Sequence, residues 1–474
     1  MTSIRACLLT ASLAAAGVAQ AQTAPSASAP ATAADDSSLS WKGITFYGIL
    51  DVALQYDTHS GPFSDYYVRG SGSLVQKNDY DSPTGLVPSG LSQSRLGISG
   101  NEPIGGDWAG VFRLETPVNP QSGNLTDNLK SLTLNNGKAV GAQVTAGDGS
   151  YAGQLFANQA NIGLSSPTYG TFTFGRHITM LAEAMGKYDP TGGAPQFSLI
   201  GYSGTYGGGG DTEDTRLDQS VKYTAKYGAL HLGALYQFSG STGAVDTAFQ
   251  FQLGFDYAGF SADAYYYKKY DAISASALSA AQVTELQTGT CTAAAPATPQ
   301  CYSIGNSLSA TISDNQTFAL MALYGFAAAP LKLYAGYEHI EFNNPNNPLP
   351  AGSLTIGGYV LAFTNNAAYD NQKVLDVVWG GLKWGVTPDL DLMLAYYYVD
   401  QNSYATGADA GCNSTVSGGC SGSENVASVL LDYRASKRFD LYAGSMWSEV
   451  QNGLANGYLN KSNVAATAGV RFKF

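Results

Sequence analysis

FQFQLGFDYAGFSADAYYY, residues 249–267, reads as a β-hairpin with two unlike faces. Phe249, Phe251, Leu253, Phe255 and Tyr257 stand on one parity, and Gln250, Gln252, Gly254 and Asp256 on the other. A period of two sends alternate side chains to opposite faces of a strand, so one face is apolar and the other polar. The chain turns at Ala258-Gly259 and returns with Ala262, Ala264 and Tyr266 on a single parity.

The unit recurs on both sides of this hairpin. Six more hairpins turn at 102–106, 166–167, 226–228, 328–330, 387–389 and 436–438, with a lone strand at 44–56 before them and another at 465–474 after them. The count predicts about 16 strands, an even number in the range of outer-membrane barrels. Longer polar stretches alternate with the short turns, including 56–90, 117–154, 177–215, 270–315, 343–371 and 400–424. Short turns then fall at one end of an antiparallel sheet and long loops at the other, and the first and last strands can pair and remove the edges. A soluble sandwich shows the same alternation with its apolar face inside, so alternation alone does not tell inside from outside.

Other parts of the sequence separate those cases. Residues 1–21 run from Arg5 through the apolar stretch Ala6–Val18 to Ala19-Gln20-Ala21, the order of a cleaved export signal. Residues 22–40 are an Ala/Pro/Ser-rich flexible segment, and 41–474 form the barrel. No later stretch is an uninterrupted apolar helix, so an exported membrane chain must cross with strands. The chain has 31 Tyr, 56 Gly and only 13% charged residues, the composition of lipid-facing strands with aromatic girdles. Net charge is −12, and −13 once Arg5 leaves with the signal, which disfavours nucleic acid as a partner. Beyond Cys7 the cysteines form two close pairs, Cys291/Cys301 and Cys412/Cys420. In an exported chain these read as two loop-closing disulfides, whereas zinc would favour other spacings and nearby His.

Taken in order, the motifs resemble the Gram-negative trimeric general porins, in particular those of β-proteobacteria. The similarity rests on Tyr47-Gly48 and Asp51 in the first strand, on Ser94-Arg95, Gly97, Gly100 and Glu102, on Leu114-Glu115, on Gly175-Arg176, on the run RLDQSVKYTA, and on the terminal Phe474. It implies an all-β transmembrane antiparallel barrel in the bacterial outer membrane, with a constriction loop folded inward after strand five. It also implies passive diffusion of small hydrophilic solutes and ions. The partners implied are outer-membrane lipid, two further copies in a homotrimer, and the barrel-assembly machinery, for which Phe474 would be the signal. The loop at 117–154 would reach a neighbouring subunit.

The resemblance further places acids on the inward loop and arginines on the facing wall. The loop carries Glu183, Asp189, Asp211, Glu213 and Asp214 against Lys187. Parity selects the wall groups. Tyr47 and Asp51 face inward on strand one, Arg95 on strand two, Arg113 and Glu115 on strand three, and Arg216, Asp218 and Lys222 on strand six. Arg176 shares parity with Phe172 and Phe174, so it needs a bulge or a place beyond the apolar band to avoid lipid. Such a constriction would set a transverse field across the lumen. More acid than base on the loop leads to an expected weak preference for cations.

Other functions fit less well. The four His lie near no G-x-S-x-G elbow, and there is no H-E-x-x-H or P-loop, so neither an enzyme nor a cofactor or metal site is expected. The alternative within the class is a substrate-specific channel for a sugar, phosphate or organic acid. A receptor or adhesin role for the long loops is weaker.

Overall fold

The computed structural model describes residues 39–67, 75, 77, 82–144, 153–200, 215–240, 246–288, 303–350, 352, 354–356 and 359–474. The expected export signal, most of the Ala/Pro/Ser segment, Asp211, Glu213, Asp214, Cys291 and Cys301 lie outside the described residues. The described residues all lie in one compact unit, Ala33–Phe474.

Sixteen strands form the wall. They are β1 Ile44–Asp57, β2 Arg95–Gly105, β3 Trp108–Asn119, β4 Gln159–Ser166, β5 Gly170–Ile178, β6 Arg216–Tyr227, β7 Leu230–Gln237 and β8 Ala248–Tyr257. They continue with β9 Phe260–Ser276, β10 Ser307–Gly325, β11 Leu331–Asn343, β12 Lys373–Thr387, β13 Leu390–Gln401, β14 Gly422–Arg434, β15 Phe439–Asn452 and β16 Ser462–Lys473. Each pairs antiparallel with the next, and β16 returns to β1 from Ile49↔Lys473 to Asp57↔Ala465. Phe474 extends this seam: its N–H donates to the Gly48 carbonyl at 3.0 Å and its carbonyl accepts from the Gly48 N–H at 2.9 Å. The turn at Ala258-Gly259 has φ of +51° and +84°, the left-handed pair that a two-residue hairpin requires.

Register fixes the width. Following partners from β1 round the wall and back displaces the register by about 20 residues. With about 3.3 Å of rise per residue and about 4.8 Å between strands, that stagger tilts the strands by roughly 40°. The same geometry gives a backbone diameter of about 32 Å, more than wall side chains can fill.

The faces are inverted relative to a soluble protein. In β8 Phe251, Leu253 and Tyr257 are 54%, 62% and 73% exposed, while Gln250 is 1% exposed. Leu54, Ile162, Phe174, Leu320 and Leu431 are exposed likewise, and Asp51, Gln55, Thr317 and Glu338 are buried. Apolar outside and polar inside removes the soluble sandwich. No helix among the described residues is long and apolar enough to cross a membrane, a statement that does not bear on strands.

The outer loops depart from expectation at 270–315. Here β9 and β10 run on past their other neighbours and pair with each other from Ala272↔Ser313 to Ser276↔Ser309. A strand at Tyr359–Asn365 adds to β10 in parallel. Ile273, Leu308, Ile312 and Leu361 give this projection a small core of its own, which Leu132 joins from helix α1, Asn128–Thr133. Asn136 Nδ2 donates to the carbonyls of Ile304 and Ser307 at 2.9 Å each. The described part of the loop after β3 therefore packs on this projection. Between β13 and β14, Cys412 and Cys420 form a disulfide, as the spacing led us to expect.

Candidate functional site

The loop after β5 turns into the barrel. It begins with helix α2, Met180–Tyr188, capped by Thr179, whose side chain accepts from the Ala182 N–H at 3.3 Å. Met180, Leu181, Ala184, Met185 and Tyr188 are buried, whereas Glu183 and Gly186 are exposed. That is the i, i+3, i+4 spacing of an amphipathic helix, with its apolar face turned to a wall. The wall answers with inward apolar groups from β7 to β15, among them Leu235, Met321, Val377, Trp379, Tyr397 and Met446. A core therefore sits inside the barrel, between these strands and the loop.

Close approach depends on gaps in the wall. A Cβ at Gly233 would lie 2.5 Å from Met180 Sδ, one at Gly381 2.6 Å from Pro190 Cγ, and one at Gly444 2.7 Å from Phe197 Cε1. Polar contacts complete the seating. Met180 N–H donates to Gln250 Oε1 at 2.7 Å, Trp379 Nε1 to the Tyr188 carbonyl at 3.1 Å, and Ser428 Oγ to the Phe197 carbonyl at 2.7 Å. These contacts carry the loop from β8 across to β14.

Of the expected loop charges, Glu183, Lys187 and Asp189 lie among the described residues, and each has a partner there. Asp189 is 1% exposed and accepts from Tyr397 Oη, Thr191 Oγ1 and the Gly193 N–H at 2.5, 2.6 and 2.7 Å. Lys187 Nζ lies 3.1 Å from Asp256 Oδ1 and 3.6 Å from Asp263 Oδ2 on the wall. Glu183 Oε2 meets Lys222 Nζ at 2.5 Å. Asp51, which parity places inside, is also fully buried. It accepts three N–H groups, from Gly90, Leu91 and Ser92, each at 2.9 Å, and the Tyr442 hydroxyl. It holds the segment leading to β2 against the wall. Of the loop acids behind the expected cation preference, Asp189 is thus withdrawn from the lumen and Glu183 is paired with Lys222.

The wall opposite the apolar core is polar. Tyr47 lies over Gly97, where a Cβ would be 2.3 Å from its ring, and donates to Glu115 Oε2 at 2.9 Å. Arg95 Nε stands 3.5 Å from the same oxygen, and Arg113 sits over the Tyr47 ring at 5.8 Å. Among the described residues Arg113 has no carboxylate within ion-pair reach. Asn158 bridges the cluster, donating to Glu115 Oε1 at 2.8 Å and accepting from Arg216 Nη2 at 3.2 Å.

Arg176 does not meet lipid. The β5–β6 register slips between Gly175 and His177, with Gly175 at φ +132° and Gln219 at +49°. A bulge of this kind re-aims a side chain. Arg176 is 8% exposed, with Nη1 2.7 Å from Asp218 Oδ1 and Nε donating to the Ala157 carbonyl at 2.9 Å. Tyr47, Arg95, Arg113, Glu115 and Arg216 thus come together, Arg176 and Asp218 lie beside them, and Lys222 reaches Glu183. Asp51, Lys187 and Asp189 go elsewhere. Trp379, Tyr397 and Asn158 were not anticipated. The first two share the inward parity of their strands, which was the available signal, and Asn158 precedes β4 with no pattern to mark it.

A family model described as Gram-negative porin matches residues 8–453. The chain belongs to the Gram-negative porin family. This porin is 28% identical over 198 residues to an outer membrane porin protein of Bordetella pertussis, covering 41% of this chain and 43% of that one. It is 24% identical over 207 residues to outer membrane porin protein 32 of Delftia acidovorans, covering 43% and 46%. The match thus spans under half the length of these curated relatives. Among solved structures, an anion-selective porin from Comamonas acidovorans superposes with a TM-score of 0.55 at 17% identity, over 91% of this chain and 99% of that one. OmpT of Vibrio cholerae gives 0.53 at 14%, over 91% and 97%. At such identities the structural likeness speaks for the fold alone. Membership places the porin in the outer membrane of a Gram-negative cell.

Proposed function

We propose that this porin is a water-filled channel for passive diffusion of small hydrophilic solutes and ions, and performs no bond chemistry. The observation that carries the reading is an inside-out barrel, wider than its side chains can fill, with α2 seated on one inner wall and a polar wall facing it. Solutes pass between the exposed side of α2, carrying Glu183, and the cluster of Tyr47, Arg95, Arg113, Glu115, Arg176, Arg216, Asp218 and Lys222. Asp51, Lys187 and Asp189 act as anchors. Three copies assemble side by side, and Phe474 marks the last strand for the insertion machinery. Cys291 and Cys301 pair as Cys412 and Cys420 do.

In the narrowed space five bases, Arg95, Arg113, Arg176, Arg216 and Lys222, face three acids, Glu115, Glu183 and Asp218, and Arg113 stands over the Tyr47 ring rather than on a carboxylate. Low dielectric walls and a narrow lumen weaken screening there. Replacing Arg113 by Gln should move the zero-current potential in a potassium chloride gradient towards cation preference. Replacing Glu183 by Gln frees Lys222 and should move it towards anions. Potentials unmoved by both substitutions would place the ion path away from these residues.

A further inference from the structure

At the turn end of the lumen, opposite the long loops, the inner faces of β11–β16 carry a row of bases. Lys332 near the start of β11 is the register partner of Lys383 on β12. Arg434 ends β14 and pairs with Asp440 on β15, which pairs with Arg471 on β16, and Arg471 pairs with Asp51 on β1. Two residues on, Lys473 pairs with Ile49, whose other partner is Arg95 of the polar wall. The bases share the inward parity of the buried Ile340, Trp379, Leu430 and Thr467 on their strands. Gly381, two residues before Lys383 on the same face, is where Pro190 seats. The row therefore lies just on the turn side of the inner loop and runs on into the wall that faces it.

These bases share their acids. Lys383 Nζ lies 2.8 Å from Asp391 Oδ2, and Arg434 Nη1 donates to the same oxygen. Arg471 Nε and Lys473 Nζ lie 2.7 and 2.9 Å from Asp440 Oδ2, and Arg471 Nη2 lies 3.6 Å from Asp432 Oδ2. Arg471 Nη1 also donates to Ser92 Oγ at 2.7 Å. Burial separates the two signs. The side chains of Asp391, Asp432 and Asp440 are 7%, 8% and 0% exposed, whereas those of Lys383, Arg434 and Lys473 are 34%, 34% and 36% exposed. Lys332 is exposed as well. The carboxylates lie beneath and the bases on top, so an ion in the lumen meets positive charge at the shorter distance. Asp389 is an exposed acid nearby, at the tip of the β12–β13 turn.

We propose that this row is a second selectivity level, a strip on the turn side of the inner loop that favours small inorganic anions over cations. The inference rests on the diffusion-channel reading and adds a second set of specificity-determining residues to it. Lys332, Lys383 and Arg434 over the single carboxylate of Asp391 carry its largest excess of positive charge. A unit charge about 7 Å from an ion in water changes the local concentration of that ion about threefold. Arg434 and Arg471 also hold buried carboxylates, and removing them would leave those charges uncompensated. The two lysines can be replaced without that loss, because Arg434 stays on Asp391.

The chloride-to-potassium permeability ratio of the full-length protein, read from zero-current potentials in dilute potassium chloride gradients across a planar bilayer, tests this. Lys332→Gln/Lys383→Gln should lower the ratio at least about twofold. Lys332→Gln alone, which breaks no ion pair among the described residues, should lower it in the same direction by less. Lys437→Gln removes an equal charge from the tip of the β14–β15 turn and should leave the ratio in place. The effect of the double variant should fade as salt is raised, since the Debye length falls from about 30 Å at 0.01 M to about 3 Å at 1 M. A parental ratio in a double variant that still migrates as a heat-modifiable barrel would overturn the strip, and so would an equal loss from Lys437→Gln. Absence of any potassium chloride conductance in the parent would instead overturn the channel reading on which the strip rests.

Discussion

Replacing Trp379 by Ala together with Tyr397 by Phe is expected to unseat the inner loop and raise single-channel conductance severalfold. Trp379 is 2% exposed within the lumenal core, and its indole N–H holds the Tyr188 carbonyl. Truncating a buried Trp to Ala costs about 3–5 kcal/mol. Removing the Tyr397 hydroxyl takes one of three donors from the buried Asp189 carboxylate, for about 1–3 kcal/mol more. Both losses fall on the contact between loop and wall, while the strand ladder of the barrel is untouched. Local units of a protein open at free energies well below global unfolding, and a loop attached at two ends is such a unit. The variant should still migrate as a folded, heat-modifiable barrel, yet conduct more and with greater current noise. Cleavage at Lys187 by trypsin should rise in parallel. Parental conductance in the double variant would mean that the loop is not what narrows the lumen.

Deleting Phe474 should sharply reduce the amount of folded barrel recovered from the outer membrane. The residue contributes the last rung of the β16–β1 seam, two backbone hydrogen bonds to Gly48. Its ring stands 5.7 Å from that of Phe46 and 6.0 Å from that of Phe472. Gly48 makes room, since a Cβ there would lie 2.5 Å from the Phe474 ring. An unpaired strand end in lipid leaves backbone groups without partners, each costing several kcal/mol. Closure of the whole sheet depends on this one seam, so the loss is not confined to the terminus. Gly48→Leu should reproduce part of the defect by displacing the ring without shortening the chain. Parental levels of heat-modifiable protein after both changes would contradict the seam.

The wall was legible because its signal is repeated. Alternation such as Phe251, Leu253, Phe255 against Gln250, Gln252, Asp256 marks strand, face and turn together, and sixteen such segments leave few ways to close. Parity also brought Tyr47, Arg95, Arg113 and Glu115 to one inner surface. It says nothing about depth or partners, and that is why Asp51 and Asp189 looked like lumenal charges although backbone amides and hydroxyls enclose them. Arg176 broke the parity rule because one register slip beside Gly175 re-aims it, and a bulge carries no periodic mark. The glycines under Met180, Pro190 and Phe197 are silent in the sequence too, for a missing side chain matters only once its neighbour is known. The projecting pair at 270–276 and 307–313 hid among polar loop residues, since strands that rise above the membrane no longer need an apolar face towards lipid.

Single-channel recording of the purified full-length porin in planar bilayers tests the central claim most directly. A water-filled lumen narrowed by the loop should give discrete insertion steps. Their conductance should grow in proportion to bulk salt over a wide range of potassium chloride concentration. A correctly folded, heat-modifiable barrel that gives no steps, or whose conductance saturates at low salt, would contradict an open diffusion path.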